Sequence, residues 1–217
     1  MANTVETMGD KALLRAIIDG SLSGTFEDNA IITLASRSMS EMTELEDIRV
    51  PNCTTINGHA FSGCSSLRRL SFDNVTTIGA YAFERCSAVT TAVLKKPLTT
   101  NNQILYAFNA CTSLTVADMD TDTVRQYMFA GCTSFKKLIL RRTSAISTLV
   151  HTASFNYSPF TQNGTGGTLY VPSALITDYQ NATNWSTILG YTNNQILPIE
   201  GSEYEFYYAD GTPIPTT

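Results

Sequence analysis

Phe61, Phe83, Phe108 and Phe129 each stand three residues ahead of a cysteine (Cys64, Cys86, Cys111 and Cys132), and they follow one another at steps of 22, 25 and 21 residues. Ser or Thr follows every one of these cysteines. A hydrophobic ladder comes next, reading Leu67/Leu70/Phe72, Val89/Ala92/Leu94, Leu114/Ala117/Met119 and Phe135/Leu138/Leu140. One step upstream, Met39 and Met42 take the places of Phe and Cys, and the ladder is Leu45/Ile48/Val50. Five copies at this period are the mark of a solenoid. A unit of this length cannot bury its apolar side alone. Stacked at the strand separation of about 4.8 Å, such units share one continuous core, so every rung must carry the same bulky plug.

The spacing inside each copy has a mechanical meaning. The last two ladder positions are two residues apart, so they point to one side of a strand while the residue between them points to the other. Ile56, Ile78 and Val124 then begin a return leg, and Ala60-Phe61 and Ala82-Phe83 place the plug behind a small residue. The outward positions form a candidate ligand-binding sheet face. Its residues are Arg49 on the first rung, Arg68, Arg69 and Ser71 on the second, Thr90 and Thr91 on the third, Asp118 on the fourth, and Lys136 and Lys137 on the fifth. Glu46 and Asp47 would neighbour Arg68 and Arg69, and such cross-strand pairs stabilise by about 0.2–1 kcal/mol. A solvated sheet laced by ion pairs is the plain reading of this face. A binding face is the functional one, since solenoids present broad, rigid sheets that lower the ordering cost of recognition.

The string I-x-x-x-A-F-x-x-C-x-S-L-x-x-L-x-L, carried here by Ile56, Ala60, Phe61, Cys64, Ser66, Leu67, Leu70 and Phe72, resembles the BspA-like, or Treponema-type, leucine-rich-repeat family over roughly 34–140. The resemblance implies a leucine-rich-repeat solenoid, an α/β but strand-dominated right-handed horseshoe or rod of about five stacked repeats. It implies an N-terminal helical cap over 1–20, the solenoid over 21–150, a C-terminal strand-helix cap over 151–200 and a tail or edge strand over 201–217. The third copy departs from the pattern by an insertion near Leu98–Gln103. Many members of that family sit on bacterial or protist surfaces and contact host proteins or other cells. The resemblance therefore implies a non-catalytic recognition or adhesion module with a protein or glycan ligand, surface- or phage-associated. The alternative is a structural scaffold within a larger particle.

Terminal rungs expose core unless capped. Lys11–Asp19 places Leu13, Leu14, Ile17 and Ile18 along one helical side, which predicts a capping helix or, on the same pattern, an oligomerisation helix. Near the other end, YVPSALITDYQNATNWS resembles the terminal segment of many BspA-like proteins. It predicts a strand at Leu169–Val171, a helix opened by Pro172, and Tyr179 and Trp185 as the lid over the last rung. The tail, EYEFYYADGTPIPTT, has an Asp-Gly turn and alternating apolar residues that predict one edge strand.

Chemistry is sparse by comparison. The net charge of −5 argues against a nucleic-acid footprint, and no apolar run is long enough to span a bilayer. The N-terminus lacks a basic start followed by an unbroken apolar core. The expectation is a cytoplasmic or virion-associated protein, or a cell-surface one if a signal has been removed. Neither His59 nor His151 has another His or a Cys at ligand spacing, and the five cysteines include no C-x-x-C pair. The cysteines read as buried small hydrophobes. In DMDTDT, Asp118–Thr123, the calcium-loop pattern fails at Thr123 and Phe129, which leaves outward-facing aspartates around Met119. No catalytic residue, metal site or cofactor is expected.

Overall fold

The computed structural model describes residues 3–5, 24–99, 104–191 and 193–215. The chain winds as a parallel β-solenoid of about six turns. One strand column comprises β2 (Thr25–Glu27), β4 (Asp47–Arg49), β6 (Arg69–Phe72), β8 (Thr91–Leu98), β9 (Val116–Thr121), β11 (Lys137–Leu140), β13 (Thr168–Val171) and β14 (Gln195–Pro198). It pairs as a two-stranded sheet, β2-β4, and a six-stranded sheet in spatial order β6-β8-β9-β11-β13-β14. The return legs are short strands: β1 (Asn3–Val5), β3 (Ile31–Leu34), β5 (Thr55–Ile56), β7 (Thr77–Ile78), β10 (Thr123–Val124) and β12 (Thr148–Leu149).

Register makes the repeat exact in space. Leu70 lies beside Ala92, Ala92 beside Ala117, and Ala117 beside Leu138. The plugs stack face to face, with ring centroids 5.4 Å apart for Phe61–Phe83, 5.3 Å for Phe83–Phe108 and 5.5 Å for Phe108–Phe129. Phe155 continues the column at 5.9 Å from Phe129. It belongs to a sixth turn that the five-copy reading does not contain, because Ser158 stands where the pattern expects Cys.

The cysteines do more than fill space. Each of the four thiols of the Phe-x-x-Cys rungs bonds back to the carbonyl of the plug one rung earlier, Cys64 to Met39 at 3.0 Å, Cys86 to Phe61 at 3.2 Å, Cys111 to Phe83 at 3.1 Å and Cys132 to Phe108 at 3.0 Å, whereas Cys53 bonds to the Thr55 carbonyl at 3.3 Å. Each of the four plug carbonyls also accepts the backbone N–H three residues on, at 3.0–3.4 Å, so the thiol adds a second donor to the same oxygen, and it is small and apolar enough to do so inside the core. The residue just before each of these four repeat cysteines is left-handed, at φ +79° for Gly63, +58° for Arg85, +60° for Ala110 and +74° for Gly131. Glycine relieves that conformation in two of these turns, and the stacking of neighbouring rungs imposes it in the others.

Burial drives the thiols upward. The Cys86 and Cys111 thiols are held well above the usual range, and that of Cys132 is pushed up to about 12. Thiolate is the reactive form, so all five cysteines are expected to resist iodoacetamide at pH 8 in the folded protein and to react together after denaturation. Mass spectrometry before and after guanidinium checks this, and rapid native alkylation of Cys86 or Cys111 would contradict the packing.

The predicted lid is in place. Pro172 precedes a 3-10 turn, Ser173–Leu175, which runs into α1 (Ile176–Asn181), and α2 (Trp185–Leu189) follows. Tyr179 and Trp185 are fully buried and meet edge to face at 5.5 Å. Both hold Ser147, whose N–H donates to Tyr179 Oη at 2.8 Å while its carbonyl accepts from Trp185 Nε1 at 2.7 Å. Large aromatics need a partner for their polar tips when buried, and one backbone residue serves both. At the other end the capping helix predicted over Lys11–Asp19 lies outside the described residues, while Asn3–Val5 forms β1 beside β3.

Candidate functional site: the outer face of the sheet

The outward residues of the long strand column form three rows. The row at the start of the strands runs through Glu46, Arg68, Thr90, Thr115 and Lys136, linked by backbone bonds of 2.9–3.1 Å from each rung to the one before. Arg68, Thr90, Thr115 and Lys136 are exposed. Arg68 pairs with Glu46 at 3.2 Å, as expected from the alternation of charge, and both are well solvated, so the pair is worth about 0–1 kcal/mol. In the next row Arg69 is exposed, and Thr91 and Lys137 are half-buried.

The third row corrects the expectation of an open face. Val93, Asp118 and Ile139 are fully buried, and they lie side by side in register on β8, β9 and β11. Their cover is the chain's own C-terminal tail, 199–214. Ile139, Ile199 and Tyr204 form a small second core on the outside of the sheet, joined by Val116, Tyr170 and Ala209. Contrary to the edge-strand prediction, the described tail does not extend the sheet. It folds back as a loop with an antiparallel bridge between Tyr207 and Pro213 around the Asp210-Gly211 turn, and it lies across the strands. The added strand is β14, upstream of the tail.

Asp118, expected to face solvent, is instead the hub of this docking. Its carboxylate receives both Nε and Nη2 of Arg141, at 2.6 and 2.7 Å, and the backbone N–H of Ala209 at 2.8 Å. Arg141 in turn donates to the carbonyls of Tyr204 and Tyr207, each at 3.0 Å, and lies 4.9 Å from the Tyr208 ring centroid. Burial pushes the Asp118 carboxyl up, and the Arg141 guanidinium pulls against it. A two-point bond to an arginine keeps it a carboxylate at neutral pH.

Two further candidates are engaged by the same tail. Lys137 donates to Glu203 at 2.8 Å and to Tyr204 Oη at 2.9 Å, which raises its ammonium above its ordinary range and lowers the Glu203 carboxyl. Ser71 donates to Asp210 at 2.6 Å. Burial alone would raise the Asp210 carboxyl. The bonds from Ser71 and Thr212, with Lys95 nearby, bring it below its usual value instead.

Three of the nine candidates, Ser71, Asp118 and Lys137, therefore hold the tail. Arg49, Arg68, Arg69, Thr90, Thr91 and Lys136 make no hydrogen bond or ion pair to it among the described residues. Arg49 pairs within its own end of the sheet, with Asp47 at 3.1 Å and Glu27 at 4.0 Å. Among the described residues no group of three His, Cys, Asp or Glu converges as a metal cluster, and no helix is long and apolar enough to cross a membrane.

Stacked parallel turns of this length, each with a Leu-x-x-Leu-x-Leu ladder on its strand, define a leucine-rich-repeat solenoid. The profile described as "BspA type Leucine rich repeat region (6 copies)" matches residues 27–161, and the chain belongs to that family. Its six copies agree with the sixth turn at Phe155. A solved leucine-rich repeat protein from Bacteroides ovatus is similar over 87% of this chain and 53% of its own, at 14% identity and a TM-score of 0.48. The chain thus spans about half the length of that protein. Comparison with curated proteins finds no match.

Proposed function

We propose that the protein is a non-catalytic recognition or adhesion module that binds a protein or glycan ligand on the part of the sheet face its tail leaves open. One observation carries this reading. The tail buries Val93, Asp118 and Ile139 of the third outward row, while the first row, from Arg68 through Thr90 and Thr115 to Lys136, stays exposed on a stacked, rigid support. A preordered polar shelf needs little reorganisation to bind, which favours recognition by complementarity. The buried, protonated thiols and the charge pairs of the face supply no activated nucleophile.

The test is a binding screen of the purified protein on arrays of bacterial surface glycans and immobilised extracellular-matrix proteins, repeated with Arg68→Glu and Lys136→Glu together. Both side chains are exposed, so the melting temperature should stay within a few degrees. Binding to whichever array component the native protein captures should fall about tenfold or more. Unchanged binding by the double variant would remove the strand-start row as the site.

A further inference from the structure

The long strand column is not continuous. β4 and β6 do not pair, and the sheet is split into its two-stranded and six-stranded parts at this one seam. The backbone bond that bridges it sits at the strand starts, Arg68 N to Glu46 O at 3.1 Å. Two cavities, of about 350 and 310 Å³, open along this seam, and both are bounded by Asp47 and Arg69. Together they make a groove that runs with the strands. It passes from Thr25 and Thr90 at one end, past Arg69, to Ser71, Asp73 and the tail tip at Asp210 and Thr212. The docked tail thus builds one wall of the groove, while sealing the sheet further along.

The charges in the groove are nearly all spoken for. Arg68 is held by Glu46, Arg49 by Asp47 and Glu27, and Lys95 by Asp73 at 2.8 Å. Asp210 is held by Ser71 and Thr212, with Lys95 at 3.8 Å. Arg69, at the middle where the cavities meet, makes no ion pair or side-chain hydrogen bond among the described residues. Its neighbours are carboxylates and hydroxyls rather than aromatic rings. A protein ligand draws most of its affinity from large apolar or aromatic anchors seated in deep pockets, and the apolar lining here is confined to Ile48 and Val50, both buried, and Pro51. Carboxylates and hydroxyls instead suit a chain of hydroxyl groups, which can donate to the former and exchange bonds with the latter.

We propose that the seam between β4 and β6 is a binding groove for an acidic oligosaccharide, with a sugar carboxylate paired to the Arg69 guanidinium and hydroxyls of the flanking sugars bonded to Asp47, Asp73 and Ser71. The assignment rests on the recognition reading above and narrows it to one ligand class and one place. A planar guanidinium meets a carboxylate through two parallel N–H bonds, so lysine is a poor substitute at such a site.

The probes are trigalacturonate, the neutral maltotriose, and the acidic tripeptide Gly-Asp-Gly, titrated by calorimetry and by chemical-shift mapping on the full chain. Trigalacturonate should bind and shift the resonances of Arg69, Asp47 and Ser71, while maltotriose and the peptide bind about tenfold more weakly or not at all. Arg69→Gln should weaken trigalacturonate about tenfold, Arg69→Lys should recover only part of that, and melting temperature should confirm that both remain folded. Equal affinity for the neutral sugar, tighter binding of the peptide, no binding of trigalacturonate, or no effect of Arg69→Gln would each overturn the proposal. Loss on Lys136→Glu alone, a side chain that lines neither cavity, but not on Arg69→Gln would retire the seam while leaving the recognition reading standing.

Discussion

Phe83→Ala is expected to destabilise the protein by about 3–5 kcal/mol, the cost of truncating a buried aromatic whose surroundings cannot close over the gap. Phe83 has rings on both sides, Phe61 at 5.4 Å and Phe108 at 5.3 Å, and Phe72 at 5.9 Å across the core. It sits in the middle of the stack, so neither neighbour can move toward the void without leaving its own register. Backbone bonds on both sides hold that register: Phe61 N donates to Ala82 O at 2.8 Å, and Phe83 N to Ala107 O at 2.9 Å. Urea unfolding of the two proteins measures the difference. In a solenoid, stability is close to a sum of rung and interface terms, and Phe83 contributes to two interfaces. The end plug Phe155→Ala should therefore cost less at equal burial only if the lid residue Trp185, 6.2 Å away, relaxes onto it. A loss below about 1 kcal/mol at Phe83 would mean the plugs do not form one column.

The column was legible because its chemistry repeats. Phe and Cys recur at fixed distance, and stacking forces like onto like, so one copy predicts the others. The sixth turn escaped notice because Ser158 replaces the thiol and the plug comes 26 residues after Phe129, further than in any earlier copy. The covered face was harder to read. Its contacts join residues far apart in the chain, Ser71 to Asp210 and Arg141 to Tyr204, and no periodicity links them. One signal was present. The third outward row reads Ser71, Val93, Asp118, Ile139 and Tyr170, too apolar for a solvated sheet, and the aromatic-rich tail needed a surface of its own. An aspartate between a valine and an isoleucine looked like the polar member of that row. In the folded chain it is the buried anchor for the tail. The seam between β4 and β6 left no mark in the spacing, since both rungs keep the full ladder.

Arg141→Ala should release the tail without unfolding the solenoid. Removing one partner of a buried ion pair strands the other, at a cost of about 3–5 kcal/mol if nothing moves. Asp118 has an escape: if residues 199–214 lift away, its carboxylate regains water. The loss is then limited to the free energy of tail docking, and the signature is local. Protection of the Ala209 amide, which donates to Asp118, should fall to that of an open loop, and residues 201–205 should become a protease site, while the amides of the plug rungs keep their protection. Val93 and Ile139 lose their cover in the same event, so a hydrophobic dye should bind the variant more than the native protein. Replacing both partners distinguishes charge from shape. Asp118→Leu with Arg141→Met places apolar side chains in a row that already buries Val93 and Ile139, and apolar replacements of buried pairs are often neutral or stabilising. The double variant should recover a large part of the protection lost by Arg141→Ala. If instead Arg141→Ala leaves Ala209 protected, the tail is held by its aromatic packing on Ile139 and Tyr170, and the ion pair is incidental to it.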